Sequence, residues 1–116
     1  MLAQHTTEEL DVWSQLKEQL DRRIRQSDFA ADIEFDPEVD GQLTRRLKRP
    51  ILREVVLSFS SPNPYLNVHY EEDGRSSGLP LMLRVEGKQF IDAKSDSTTT
   101  VDDLVTRILT FLQIGK

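Results

Sequence analysis

His69 and Glu71 stand two residues apart in the run Tyr65-Leu66-Asn67-Val68-His69-Tyr70-Glu71. On an extended strand that spacing points both side chains to one side. An imidazole beside a carboxylate is one geometry for metal ligation, or for a general base and the group that orients it. A small enzyme or ligand-binding domain built on His69 is therefore one functional expectation. A third ligand is missing from the pattern, because the other histidine, His5, sits in a segment expected to fray. Polar residues on a solvated sheet face explain the pair without chemistry, and neither a metal nor a cofactor is expected.

Other stretches bear partial motifs. Asp36, Glu38, Asp40 and Gly41 alternate oxygen ligands ahead of a glycine, as in the first half of a calcium loop. Such a loop closes on a bidentate acid at its twelfth position, which here is Leu47, so a solvated acidic loop or strand edge is expected. Gly74-Arg75-Ser76-Ser77-Gly78 offers backbone N–H groups to a phosphate but lacks the lysine and helix start of a P-loop. It is expected to be a flexible hairpin loop. The chain has no cysteine to act as nucleophile and no Gly-X-Ser-X-Gly elbow. Enzymatic activity is not expected.

The sharpest compositional contrast is one of charge. Residues 28–40 hold six acids and no base, whereas residues 41–53 hold five bases (Arg45, Arg46, Lys48, Arg49, Arg53) and no acid. Nucleic-acid or polyanion binding through these five is a second expectation. Against it, no aromatic residue for base stacking is interleaved, and the preceding acids oppose the field. The net charge of −5 and pI near 5.0 also disfavour bulk attraction to nucleic acid or anionic lipid. The plainer account is an internal charge match that sets the register of neighbouring segments, or a charged edge kept from aggregating.

The elements that must position these residues are legible from periodicity. Leu10, Trp13, Leu16, Leu20 and Ile24 recur at helical steps, and Thr6 with Glu9 forms a capping box, which predicts a helix over about 7–25. Ala31, Ile33 and Phe35 alternate with acids, predicting a short strand at 30–35. For 36–49 the reading favours a short helix or irregular loop, with Val39, Leu43 and Leu47 on one side; a hairpin turning at Pro37 to Gly41 competes with it. A strand follows from Ile51, with Val55, Leu57 and Phe59 sharing a face, and Ser60 to Pro64 stops it. Strands are then predicted at 65–71, 80–86 and 89–92, separated by a mobile Glu72–Gly78 connection and a tight Gly87-Lys88 turn. Thr100 with Asp103 caps a final helix bearing Val101, Leu104, Val105, Ile108, Phe111 and Leu112, and Gly115 is placed to stop it.

These elements predict one α+β domain over residues 1–116. Its N-terminal and C-terminal amphipathic helices pack on one face of a mainly antiparallel sheet of three to five strands. The other face stays open and carries Val56, Tyr65, Asn67, His69, Met82 and Arg84, a mixed patch suited to a partner. The leading functional expectation is thus a non-enzymatic protein-interaction domain, a homodimer or the binder of another protein. No apolar run approaches the roughly 20 residues of a membrane span, the N-terminal residues lack the pattern of a secretory signal, and cysteines are absent. A soluble, cytoplasmic chain is expected. The order of helix, three strands and helix resembles the double-stranded-RNA-binding domain in element order alone. The resemblance implies a basic cluster at the start of the last helix. Thr100, Val101, Asp102 and Asp103 stand there instead and repel phosphate, so the function is not carried over.

Overall fold

The computed structural model describes residues 6–59, 65–78 and 80–113. Thr6 opens the first element with a reciprocal cap. Its Oγ1 accepts from the Glu9 N–H at 3.1 Å, and its own N–H donates to Glu9 Oε1 at 2.7 Å. Helix α1 (Thr7–Arg25) then buries Val12, Trp13, Leu16, Leu20 and Ile24, as its periodicity predicts for all but two positions. Leu10 is 47% exposed and Val12 is buried in its stead. The cause is angular: Leu10 lies about 120° round the helix from Leu16, beyond the edge of the stripe.

A 3₁₀ turn over Ala30–Asp32 leads into β1 (Ile33–Phe35), and β2 (Gln42–Leu47) returns antiparallel beside it. The hairpin therefore replaces the helix or loop expected for 36–49. Asp40 and Gly41 have φ of 51° and 78°. Two consecutive left-handed residues cannot belong to a right-handed helix, and they build the two-residue turn whose twist suits paired strands. Val39 and Gln42 exchange backbone hydrogen bonds of 3.0 and 2.9 Å across it.

The meander continues through β3 (Arg53–Ser58), β4 (Tyr65–Glu72), β5 (Arg75–Ser76), β6 (Leu81–Glu86), β7 (Gln89–Asp92) and β8 (Thr98–Thr100). Neighbours are antiparallel in the order β1-β2-β3-β4-β6-β7-β8, with β5 beside the end of β4. Among the described residues eight strands replace the expected three to five, which also removes the likeness in element order to the double-stranded-RNA-binding domain. Strand β5 arises because Asp73 and Gly74, at φ 53° and 82°, fold the supposedly mobile connection into a tight hairpin. Strand β8 arises within a polar stretch, where Thr98, Thr99 and Thr100 supply the β-branched side chains that favour extended backbone.

Helix α2 (Val101–Gln113) begins where Thr100 Oγ1 accepts from the Asp103 N–H at 3.0 Å. It buries Val101, Leu104, Val105, Ile108, Leu109 and Leu112. The buried side chains of both helices and of alternate strand positions, among them Leu43, Val55, Leu57, Val68 and Leu83, form one hydrophobic cluster. Arg23 joins the helices through bonds to Asp102 Oδ1 at 3.3 Å and Thr106 Oγ1 at 3.0 Å. Among the described residues no helix is long and apolar enough to cross a membrane. His5, the strand breaker Ser60 to Pro64 and the helix stop Gly115 lie outside the described residues.

Candidate functional site

Strand parity assembles the candidate face. In β3 the residues Arg53, Val55 and Leu57 are buried while Glu54, Val56 and Ser58 are half-buried, and the same alternation runs into β4. Register then fixes lateral neighbours on the outer side. Val56 is opposite His69, Asn67 opposite Met82, and Tyr65 opposite Arg84. All six residues expected on the open face thus sit together on β3, β4 and β6, with Met82 44% exposed. Thr44, Ile91 and Thr98 join them, since Thr44 faces Val56, and Ile91 lies between Arg84 and Thr98. Sequence reasoning missed these three. Ile91 was within its reach, because buried Phe90 beside it sets the parity of β7.

His69 and Glu71 do share a side, with His69 Nε2 3.5 Å from Glu71 Oε1, and Ser76 Oγ also lies 3.5 Å from Nε2. Both partners therefore approach one edge of the ring. A nucleophile–base–orienter triad needs the hydroxyl and the carboxylate on opposite ring nitrogens. At 3.5 Å the contacts are also long for hydrogen bonds. The His69 side chain is 31% exposed on the sheet surface, so the group is a solvated polar cluster.

The basic segment is largely engaged within the chain. Arg45 points into the protein, where Nε and Nη2 donate to the two carboxylate oxygens of Asp21, each at 2.8 Å, and Nη1 donates to the Asp36 and Thr44 carbonyls. Its guanidinium also lies over the Phe35 ring, 5.0 Å from the centroid. Arg53 is buried and contacts Glu72 Oε1 at 3.3 Å. Arg46, on the outer side, reaches Glu34 at 3.4 Å, Asp36 at 3.3 Å and Glu54 at 3.2 Å. Its hydrogen bond to Glu54, then the charges of Glu54 and Asp36, raise its pKa above the ordinary arginine value against the opposing effect of burial. Lys48 and Arg49 are exposed, and Arg49 comes within 3.8 Å of Asp32.

The partial motifs have structural roles. Asp36 is paired with Arg46, Glu38 with Lys17, and Asp40-Gly41 is the hairpin turn, so the calcium-like stretch is a hairpin bend. Among the described residues no group of three or more His, Asp or Glu side chains is placed to hold a metal ion. Gly74 serves the β4–β5 turn. An open cleft of about 710 Å³ beside α1 is lined by Leu10, Trp13, Lys17 and Glu38 among others, with the Lys17–Glu38 ion pair across it. It holds no imidazole. Comparison of the chain with protein-family models, curated proteins and solved structures finds no match.

Proposed function

We propose that this chain is a non-enzymatic protein-interaction domain in which both helices pack on one side of the sheet and the other side is the working surface. The observation that carries it is the strand register, which sets Val56, Met82 and Tyr65 among Asn67, His69 and Arg84 on three adjacent strands. The single cluster shared by α1, α2 and the inward strand positions supports the one-sided packing. Interfaces combine an apolar centre with polar and arginine-bearing surroundings, which is the composition of this patch. Polyanion binding has less support, because Arg45, Arg46 and Arg53 are engaged by carboxylates of the same chain. A cytoplasmic setting suits a chain without cysteine.

Site-specific photo-crosslinking tests the proposal. A photoreactive residue in place of Met82 should yield a discrete polypeptide adduct in cells producing the full chain, and one in place of exposed Glu18 on α1 should not. No adduct from position 82, or equal adducts from both positions, would contradict it.

A further inference from the structure

The outer face has two unlike ends. At one end Glu34, Arg46, Glu54 and Glu71 lie in one cross-strand row over β1 to β4, with Asp36 against Arg46. Three of these carboxylates contact the Arg46 guanidinium and Glu71 lies against His69, so carboxylates are in excess in that row. At the other end Arg84 stands between Tyr65 and Ile91 in register, with its side chain half exposed. Glu86 contacts Arg84 at 3.1 Å but is more exposed still, so a closer carboxylate can compete for the guanidinium. Met82, Val56, Asn67 and Ser58 occupy the middle.

We propose that the occupant of this face is a second copy of the chain, packed face to face about a two-fold axis that crosses the strands near Asn67 and His69. The inference rests on the outer face being the working surface. A two-fold contact demands a self-complementary surface, because each copy offers the same patch. A face with carboxylates in excess at one end, the exposed Arg84 at the other and Met82 and Val56 among polar residues between meets that demand when the copies lie head to tail and a partner carboxylate takes the place of Glu86. Each Arg84 then comes over the acidic row of its partner near Glu71, and the Met82 and Val56 side chains meet in the centre. Size agrees: five strands spaced about 4.8 Å apart and about 20 Å long give roughly 500 Å² in projection. Side-chain relief raises the accessible area toward the roughly 800 Å² per partner of a stable interface. Two antiparallel sheets stacked this way form a sandwich with helices outside, which leaves no open face.

Light scattering and sedimentation equilibrium on the full chain read the result. The expected species is twice the 13.4 kDa chain mass at high concentration. Arg84→Glu and Glu71→Arg should each weaken self-association about tenfold or more by placing like charges together, and the double exchange should restore it. Met82→Asp should also weaken it, with far-UV circular dichroism verifying that every variant is folded. A monomer at all concentrations overturns the second copy; if position 82 still crosslinks to a different protein, the interaction face itself stands. A dimer indifferent to Arg84, Glu71 and Met82 overturns it too, because it must use another surface.

Discussion

The guanidinium of Arg45 makes two parallel bonds to Asp21 and two more to backbone carbonyls, with 7% of its side chain exposed. Removing one partner of such a pair strands a buried charge, at a cost of roughly 3–5 kcal/mol. Asp21 is partly exposed, so Asp21→Ala should destabilise the fold by about 3 kcal/mol, measured by urea unfolding. Tyr70 presents the opposite case. Its Oη is buried without a hydrogen-bond partner among the described residues, and burial pushes its pKa up to about 12, with the charge of Arg107 pulling the other way. Below pH about 10 the phenol is neutral in both states; above it the unfolded chain ionises first, so native stability falls as pH rises toward 12. Tyr70→Phe should raise stability at pH 7 by about 1 kcal/mol and remove that alkaline loss, as urea midpoints at pH 7 and 11 would show. Neither role is visible in local sequence. Arg45 sits among five bases, and what separates it from Lys48 is that β2 turns Leu43, Arg45 and Leu47 inward.

Both terminal helices and the strands at 53–58, 65–72, 81–86 and 89–92 were legible, because their apolar spacing fits one period and not the other. The segment 36–49 was not, since Val39, Leu43 and Leu47 are spaced for a helix as well as for strands. The deciding pair was Asp40-Gly41, a strong hairpin signal that outweighs that spacing. The β7–β8 connection is held by Asp92, whose Oδ1 accepts from the N–H groups of Lys94 at 2.7 Å and Ser95 at 3.2 Å. Those two bonds, Lys94 first, hold its carboxyl below the ordinary range. A lowered folded-state pKa contributes stability above the unfolded value that is lost as pH falls through the folded one. Asp92→Ala should therefore lower the urea midpoint at pH 7, and the gap from the parent chain should narrow as pH is taken down to about 2.

For the molecule as a whole, the contrast between residues 28–40 and 41–53 was legible as charge but not as geometry. Folding turns it into Arg46 bridging Glu34, Asp36 and Glu54 on the outer side and Arg45 bound to Asp21 within. That the six candidate residues share one side of β3, β4 and β6 was legible because strand parity needs no tertiary information, whereas Thr44 required β2 to be known first. The chain's lack of cysteine permits a direct test of the proposed open face. Single cysteines at Leu66, Asn67, Val68 and His69 would be labelled with a thiol reagent at low protein concentration, where a bound partner is absent. The account predicts labelling at 67 and 69 at least about tenfold faster than at 66 and 68. Uniform labelling along β4, or protection at 67 and 69, would contradict it.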